Sequence, residues 1–482
     1  MEMVSKMIPR TMSTQHPDNV FIPFFAHDAA LGGEDEVVEA FYAFSVLGVD
    51  EQMWDFEGKE VDEFVVKKLL EKYGSFFRKR KLGKDFRITP RVPNPSVEKA
   101  EAKLLLETLE SIPRSADYAK LFYGEEIAPI FEVILPMTTS SEELERVYEL
   151  YKRYIIGKQY KRVYDVKIYE WIGEFYPEEI NVIPLFETKE AIMNSHEILE
   201  EYLTGKNFEY QRVFLARSDP AMNYGLISAV IYDKYALFKL KELEEELSIP
   251  IYPIIGVGGA PFRGHFTPKN VDATMEEYPS AQTFTVQSSF KYDNEPKEVI
   301  KAIEKVNNTK RKETPAIDER IFGILDKYEE EYTKELKILA PYIREVAKAV
   351  PSRRKRKLHI GLFGYSREVN GEALPRAIKF TASLYSLGIP PEILGLRALS
   401  EKELEIISEY YKGLYNDISF ALKFFNPKGA SYFKFLDHTV KLQKEMGIER
   451  NEKHLEITTQ ILNGKIEESL VVEAAGIRGF LG

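Results

Sequence analysis

Two acidic residues that directly follow predicted buried strands are the first candidates for chemistry in this sequence. Glu187 follows the apolar run 182–186, and Asp219 comes just after the run 212–216. If both strands belong to one α/β sheet, the two carboxylates lie at its carboxyl edge and could approach within metal-bridging distance. Two carboxylates that leave the rest of the coordination shell to water and substrate oxygens are a typical Mg²⁺ or Mn²⁺ arrangement. The alternative is a pair of acids that cap the helices after these strands.

A glycine-rich loop follows another predicted strand, 251–255. The chain breaks there into Gly258 and Gly259 and then presents Arg263. A strand that ends in such a loop leaves backbone N–H groups bare at the carboxyl edge of the sheet. The planar guanidinium of an arginine suits an oxyanion such as phosphate or carbonate, because it can donate two parallel hydrogen bonds. The alternative is a tight turn with a solvated arginine, because glycine motifs produce many false positives.

Arginines recur after predicted strands, which indicates a small, multiply charged anion as the substrate. They are Arg91, Arg217, Arg263 and Arg367. His16 is a further candidate, in the polar stretch 9–19 that we expect to be an extended loop. Held by the following Pro17, it could serve as a catalytic base. The alternative is an exposed loop histidine without a role.

The elements that position these residues are strands alternating with helices of about 10–20 residues, the pattern of parallel βα units. The predicted strands are 86–91, 128–136, 182–186, 212–216, 251–255, 283–286 and 359–363, with a polar turn at 54–59. Polar residues repeatedly come directly after a strand, which is where an α/β barrel carries its chemistry. No GxGxxG fingerprint opens a helix, so we predict an α/β fold of the TIM-type (β/α) barrel rather than an open sheet.

The rest of the chain predicts mostly helical additions to this barrel. The barrel strands fall within about 10–370, the additions at about 310–350 and 376–482, and we expect 1–482 to be a single domain. The last residues, VVEAAGIRGFLG, are apolar and rich in glycine. Since surface tails are rarely so apolar, we predict that this one inserts towards the barrel mouth. Phe480 and Leu481 would be buried there, and Arg478 would pair with a carboxylate.

Composition excludes several classes of function. A formal net charge of −11 argues against a nucleic-acid partner, and the basic run 353–357 is interpreted as a solvated lead-in to a strand. The absence of cysteine excludes disulfides, thiolate catalysis and Cys-ligated metals. No run reaches 18 apolar residues, and the start MEMVSKMIPR has no apolar targeting region. We therefore expect a soluble, cytoplasmic protein with no membrane partner.

A resemblance to a known enzyme family becomes specific when separate words of the sequence are taken together. The words are IPRTMSTQHPDN, DFEGKE, PLFET, RSDPAMNYG, GGAPFRGHF, LPRAIKF with ASLYSLGIPPE, and AAGIRGFLG. In this order they sample nearly the whole chain, and together they resemble phosphoenolpyruvate carboxylase, in particular its short archaeal type. The longer bacterial and plant enzymes share PLFET. Their TAHPT, GYSDS and GRGGSIGRGG are similar to the stretches at His16, Asp219 and 256–265.

The resemblance implies an activity, a cofactor and a set of site residues. Members of the family carboxylate phosphoenolpyruvate with bicarbonate, giving oxaloacetate and phosphate, with Mg²⁺ or Mn²⁺, and are typically homotetramers. By this resemblance Glu187 and Asp219 are the metal ligands and His16 is the catalytic histidine. Arg263 would lie near bicarbonate, and Arg91 and Arg367 would serve the phosphate. The further substrate-binding residues that we expect are Arg10, Arg217, Gly258, Gly259, Lys59 and Arg478.

The sequence departs from the longer enzymes of the family at two places. Val257 stands where they have the first arginine of the glycine loop, and Ile255 stands where they have its histidine. A phosphate-binding arginine must then come from elsewhere, with Arg10 and Arg217 as the candidates. The tail also lacks the NT of their RNTG, which predicts weak inhibition by aspartate.

Two other interpretations stay open at this point. Another barrel enzyme acting on phosphoenolpyruvate or pyruvate, such as a phosphotransferase or an aldol-type lyase, would turn over without bicarbonate. The chain has no P-loop signature GxxxxGK[ST], which counts against a nucleotide substrate. A helical scaffold with a vestigial barrel would bind no divalent metal and would tolerate the loss of Glu187 and Asp219.

Overall fold

Eight parallel strands form a closed barrel in the computed structural model, which describes residues 8–57, 61–355, 367–369 and 372–482. In chain order the strands are Thr11–Ser13 (β1), Glu51–Asp55 (β2), Arg87–Arg91 (β3), Glu132–Leu135 (β4), Asn181–Phe186 (β5), Gln211–Ala216 (β6), Ile251–Gly256 (β7) and Thr283–Val286 (β8). Each strand pairs with the next along the chain, and β8 pairs with β1 to close the barrel. The predicted TIM-type barrel is therefore confirmed.

Helices surround the strands and continue through the C-terminal third of the chain. They are Glu34–Tyr42 (α1), Val65–Lys72 (α2), Gly74–Phe77 (α3), Ala102–Tyr123 (α4), Ser141–Glu149 (α5), Ile168–Ile172 (α6), Lys189–Met193 (α7), Ser195–Leu203 (α8), Ser218–Tyr224 (α9), Leu226–Leu247 (α10), Val271–Glu277 (α11), Ser288–Tyr292 (α12), Pro296–Asn308 (α13), Phe322–Ala347 (α14), Ala377–Ser386 (α15), Glu401–Tyr410 (α16), Leu414–Leu422 (α17), Asp437–Glu445 (α18), Glu452–Leu462 (α19) and Glu468–Arg478 (α20). The prediction of additional, mostly helical C-terminal elements is confirmed. Within the ranges that the structure describes, no helix is both long and apolar enough to cross a membrane.

The barrel interior has an apolar part and a charged part. Apolar side chains pack inside it, among them Met12, Met53 and Phe214. Near the amino-terminal ends of the strands, the buried guanidinium of Arg212 binds Glu51, with Nη1 2.7 Å from Oε1 and Nη2 2.7 Å from Oε2. Arg212 Nη1 also lies 2.9 Å from Glu132 Oε2. Buried charges are tolerated when they are paired in this way.

Two strands of the barrel were not predicted. The stretch expected to be an extended loop contains β1, and β2 ends within the residues expected to form a turn. The barrel closes by pairing β8 with β1, so it needs no strand after Val286. The predicted strand 359–363 lies outside the described residues. Arg367 begins a short antiparallel strand, Arg367–Val369, which pairs with Glu372–Leu374 rather than with the barrel.

The prediction of a solvated basic run at 353–357 is wrong for its first two residues. Arg353 and Arg354 are buried. Arg353 Nη2 donates to the carbonyl of Val20 (2.7 Å), and Arg354 Nη2 donates to both carboxylate oxygens of Glu39, at 2.6 Å each. Because α1 supplies the opposite charge, this basic segment is an anchor between the barrel and its C-terminal additions.

Candidate active site

Loops from the carboxyl ends of β1, β7 and β8 meet at one point through buried hydrogen bonds. The carboxylate of Asp18, after β1, accepts from Gly259 N (3.2 Å) and Arg263 Nη1 (3.3 Å) in the loop after β7. It also accepts from Ser289 N (2.7 Å), after β8. Arg263 Nη2 completes the junction by donating to Gln287 Oε1 at 2.6 Å. This end of the barrel is therefore an ordered polar site, as the strand ends predicted.

His16 lies in the loop that joins this junction to β1. Its ring Nδ1 lies 2.9 Å from Thr14 Oγ1, and its carbonyl accepts from Ser288 N at 3.2 Å. Thr14 is itself fixed, since its N–H donates to Val286 and its carbonyl accepts from Lys291 Nζ. A hydrogen bond at Nδ1 orients an imidazole and makes its two nitrogens distinct. The ring of His16 is therefore oriented by β1 and β8 together.

Glu187 and Asp219 lie at the ends of neighbouring strands. Phe186 of β5 pairs with Leu215 of β6, Glu187 comes next in the chain, and Asp219 lies in the first turn of α9. Glu187 is buried, and its Oε2 accepts from Met137 N at 2.8 Å. The structure thus places the two predicted metal ligands on adjacent strand ends, at the same end of the barrel as His16.

The donor set at these strand ends fits a hard divalent cation. Mg²⁺ and Mn²⁺ prefer carboxylate oxygens, and Mg²⁺ is usually bound by only one or two carboxylates together with water and substrate oxygens. In the part of the chain that the structure describes, no cluster of three or more His, Asp or Glu side chains is arranged to hold a metal ion. Glu187 and Asp219 are the residues of this end of the barrel whose carboxylates would suit such a cation.

Arg91 reaches the same region from the end of β3. Its Nε and Nη2 bind the two carboxylate oxygens of Asp55 at 2.8 Å each, and Nη2 lies 3.1 Å from Glu57 Oε2. Burial alone would lower the pKa of Arg91, but Asp55, Glu57 and, more weakly, Glu187 outweigh it and raise that pKa. Arg91 is thus a permanent positive charge close to Glu187, with Nη1 as the nitrogen that these partners do not use.

Arg263 is more completely bound to the protein than the sequence suggested. Besides Asp18 and Gln287, its Nε donates to Ser218 Oγ (3.0 Å) and its Nη1 donates to the carbonyl of Gly482 (2.7 Å). Burial lowers the pKa of Arg263, while the negative charges of Asp18 and Asp219 act in the opposite direction. Four of the five N–H donors of its guanidinium are accounted for by these contacts. Within the described ranges, these contacts leave one N–H of Nη2 without an acceptor.

The prediction that the loop glycines present bare backbone N–H groups is wrong. Gly258 N donates to the carbonyl of Arg263 (2.7 Å), and Gly259 N donates to Asp18. These positions exclude a side chain because a Cβ on Gly259 would lie 2.5 Å from Ser289 Oγ, and one on Gly258 would lie 3.0 Å from Arg263 Cζ. The glycines therefore allow Arg263 and Ser289 to approach the loop backbone closely.

Two predicted substrate-binding arginines do not point into this site. Arg10 lies at the other end of the barrel, and the side chain of Arg217 turns away from the barrel mouth. Arg10 precedes β1, and its Nη1 donates to the carbonyls of Ala281 and Gln282, just before β8 begins. It is therefore at the amino-terminal end of the strands. Arg217 follows β6, but its Nε donates to Tyr278 OH at 3.0 Å and its Nη1 to the carbonyl of Phe262 at 3.4 Å. It supports the glycine loop from outside.

The remaining predicted residues divide into one that is described and two that are not. Arg478 is buried beside the tail, but it donates to the carbonyls of Phe480 (3.1 Å) and Leu481 (2.7 Å) rather than to a carboxylate. The prediction that Arg478 pairs with a carboxylate is therefore wrong. Burial lowers the pKa of Arg478 to about 9. Lys59 lies outside the described residues, and the side chain of Arg367 is not described.

The tail itself inserts as predicted. α20 ends at Arg478, and the φ of 86° at the following Gly479 turns the chain. Phe480 and Leu481 are buried, and Leu481 N donates to the carbonyl of Asp18 at 2.8 Å. Phe480 packs edge-on against Tyr385, with the ring centroids 5.2 Å apart. The C-terminal residues are therefore part of the wall of the site.

Sequence reasoning missed the residues that join these loops to one another. They are Asp18, Gln287, Ser289, Lys291 and Glu392. A signal existed for Asp18, which stands two residues after His16 in TQHPD, and for Gln287 and Ser289, which directly follow the predicted strand 283–286. Nothing local marks Glu392, whose Oε1 accepts from Phe262 N at 2.8 Å across 130 residues of chain.

Comparison with known proteins gives a consistent result. A family model described as phosphoenolpyruvate carboxylase matches residues 8–482. The phosphoenolpyruvate carboxylase of Pyrococcus abyssi is 63% identical over 476 residues, covering 99% of this chain and 100% of the relative. That of Pyrococcus furiosus is 62% identical over 478 residues, with the same coverage. That of Methanothermobacter thermautotrophicus is 54% identical over 485 residues, covering 98% of this chain and 100% of the relative.

Proposed function

The chain belongs to the phosphoenolpyruvate carboxylase family and is therefore a carbon–carbon lyase, and we propose that it carboxylates phosphoenolpyruvate in two steps at the barrel mouth, with a divalent cation held by Glu187 and Asp219. One observation carries the proposal. Two carboxylates on adjacent strand ends share that end of the barrel with the charge of Arg263 and the oriented ring of His16.

The first step is a phosphoryl transfer. An oxygen of bicarbonate attacks the phosphorus of phosphoenolpyruvate, and the bond from phosphorus to the enol oxygen breaks. Carboxyphosphate and the enolate of pyruvate result. Arg91 and Arg263 serve this step by neutralising charge on the transferring group, through Arg91 Nη1 and the remaining N–H of Arg263 Nη2. Carboxylate partners on the protein side hold both guanidinium groups in place beforehand.

The second step forms the new carbon–carbon bond. A base takes the carboxyl proton of carboxyphosphate, whose bond from carbon to the bridging oxygen then breaks to release carbon dioxide and phosphate. C3 of the enolate bonds to the carbon dioxide and gives oxaloacetate. We assign the base to His16, because it lies at this end of the barrel and the contact of its Nδ1 with Thr14 Oγ1 orients the imidazole for proton exchange.

A cation bound to Glu187 and Asp219 would supply positive charge beside the enolate oxygen. The chain itself must keep water away, because a proton from water on C3 of the enolate would give pyruvate instead of oxaloacetate. The inserted tail and the glycine loop, joined through Arg263 and Gly482, are suited to this task.

The test is a coupled assay for oxaloacetate with and without bicarbonate. We expect oxaloacetate only when phosphoenolpyruvate, bicarbonate and Mg²⁺ or Mn²⁺ are all present, and loss of turnover when a chelator removes the metal. Turnover that needs no bicarbonate would favour a phosphotransferase or an aldol-type lyase instead. From the family we also infer a homotetramer, which light scattering coupled to size exclusion would establish.

A further inference from the structure

Asp18 has no role in the proposed reaction, yet its carboxylate is a centre of hydrogen bonding at this site. Its side chain is fully buried and accepts four hydrogen bonds from two loops. Oδ1 accepts from Ser289 N (2.7 Å), and Oδ2 accepts from Ser289 Oγ (2.9 Å), Gly259 N (3.2 Å) and Arg263 Nη1 (3.3 Å). A single carboxylate thus fixes the loop after β7 and the loop after β8 relative to the loop that carries His16.

The backbone of the same residue holds the tail. Leu481 N donates to the Asp18 carbonyl at 2.8 Å, and Arg263 Nη1, which binds the Asp18 carboxylate, also donates to the Gly482 carbonyl at 2.7 Å. The tail is therefore attached to Asp18 twice, once directly and once through Arg263. Any displacement of Arg263 would release one of the two attachments.

The opposite side of the His16 loop is fixed independently. Gln15 Oε1 accepts from Asp55 N at 2.8 Å, and Asp55 holds Arg91. The loop is thus clamped to the β2–β3 side by Gln15 and to the β7–β8 side by Asp18. Only the second clamp also contacts the tail, so the orientation of His16 and the closure of the tail depend on a common residue.

We propose that Asp18 is a positioning residue that couples closure of the C-terminal tail to the orientation of Arg263 and His16, so that the enolate is shielded from water until carbon dioxide is captured. The proposal rests on the proposed function for its consequence in product formation. Its structural part, the coupling of the tail to Arg263 through Asp18, stands without it.

The test is the Asp18→Asn variant. An asparagine that keeps its oxygen at the Oδ1 position places an NH₂ group against two groups that can only donate, Gly259 N and Arg263 Nη1, and this contact is repulsive. The matched control is Asp35→Asn, because Asp35 is also a buried acceptor of a backbone N–H, that of His27 at 3.0 Å, but is not the carboxylate that binds Ser289, Gly259 and Arg263.

Two measurements distinguish a positioning role of Asp18 from a role in stability alone. The first measures how much oxaloacetate and how much pyruvate form for each phosphate released, together with the KM for bicarbonate. In Asp18→Asn we expect bicarbonate-dependent pyruvate to become a major product and kcat/KM for bicarbonate to fall roughly tenfold to a hundredfold, as for other losses of alignment. The second is hydrogen exchange of residues 479–482, which we expect to accelerate by about tenfold or more when the tail opens locally. Asp35→Asn should change neither.

The outcomes of these measurements either support or overturn the coupling role of Asp18. Normal product ratio and normal exchange of the tail in a folded Asp18→Asn variant would overturn the proposal. If that variant does not fold, Ser289→Ala, which removes one of the four donors, must shift both readouts in the same direction, and unchanged values would again overturn it. If the wild type makes no oxaloacetate, the proposed function is wrong, whereas faster exchange of the tail in the variants still establishes the coupling.

Discussion

Two buried guanidinium groups at the mouth of the barrel each have a carboxylate partner from another strand or loop. Arg91 binds Asp55, and Arg263 binds Asp18. A buried charge without a partner is costly, so such pairs hold each other in one geometry before any substrate arrives. At the scale of single residues the site is therefore pre-organised, and removing one partner should affect function through the group that it leaves behind.

The first prediction concerns the two carboxylates. Glu187→Gln and Asp219→Asn should each reduce carboxylation to below about 1% of the wild-type rate, because an amide keeps the shape but supplies no negative charge to a divalent cation. The fold should be intact by circular dichroism. The matched control is Glu190→Gln, an exposed glutamate just after Glu187 in the chain. Near-normal activity of either variant at saturating magnesium would show that the assignment is wrong.

The second prediction concerns His16. If His16 acts after the phosphoryl transfer, His16→Asn should still consume phosphoenolpyruvate in a bicarbonate-dependent way, but it should yield pyruvate and phosphate in place of oxaloacetate. Product analysis by coupled assays measures this. His196→Asn, on α8, serves as the control and should behave as the wild type. Undiminished oxaloacetate, or pyruvate formed without any need for bicarbonate, would exclude the role.

At this scale the sequence could predict which residues follow a strand, but it could not predict the direction in which each side chain points. Glu187, Asp219 and Arg263 follow strands, and the structure places them at one end of the barrel. Arg217 also follows a strand, yet its guanidinium binds Tyr278 on the outside. Which way a side chain turns depends on tertiary partners, and in this case the partner lies 61 residues away.

At the scale of elements, the strands that escaped prediction are those with polar residues facing other strands. β2 reads EQMWD, and its Glu51 binds the buried Arg212 of β6. β1 is only three residues long, TMS. A period of alternating apolar residues identifies a strand only when its buried face is apolar. Here part of the buried face is a charged layer, so the sequence pattern of a buried strand is absent.

The third prediction concerns the tail. Deleting Gly479 to Gly482 should reduce activity severely and leave the melting temperature almost unchanged. Burial of Phe480 and Leu481 contributes about 3–6 kcal/mol, which is largely offset by the ordering of four residues at about 1–2 kcal/mol each. We expect activity to depend on the tail because the tail contacts both Asp18 and Arg263.

The exposed Lys465→Ala is the control for the tail deletion, since it changes the same region without touching the site. The missing NT of the tail further predicts that micromolar aspartate does not inhibit the wild type. A truncated enzyme with full activity would show that the tail has no part in the reaction, and strong inhibition by aspartate would show that an effector site is retained.

At the scale of the whole molecule, burial raises the pKa of several carboxyl groups that have few or no opposing charges nearby. Burial raises the pKa of Glu335 and of Glu392 to about 7, and that of Asp293 to about 8. Glu39 shows the opposite case. Burial would raise its pKa, but the neighbouring Arg354 and Lys291 outweigh this and lower it to about 2. The two kinds of carboxyl should therefore affect stability with opposite dependence on pH.

The fourth prediction follows from these signs. Between pH 4.5 and about 7 the folded protein holds a proton on Glu392 that the unfolded chain has released, so this group makes the fold less stable as the pH rises. Glu392→Gln removes the titration and can keep both hydrogen bonds of Glu392, because Phe262 N and Tyr385 OH both donate to Oε1. The variant should match the wild type near pH 5 and exceed its stability at pH 8 by roughly 2–3 kcal/mol.

Glu39→Gln is the contrasting variant, since the same chemical change there must act in the opposite direction. The charge of Glu39 stabilises the fold above pH 4.5, and this contribution is lost as the pH falls towards 2. Its replacement should therefore reduce stability at pH 8, because Lys291 and Arg354 lose their shared partner. Denaturant unfolding of both variants and the wild type at pH 5 and pH 8 measures the effects. If Glu392→Gln is no more stable than the wild type at pH 8, the pKa of Glu392 in the folded protein is not raised and the prediction is wrong.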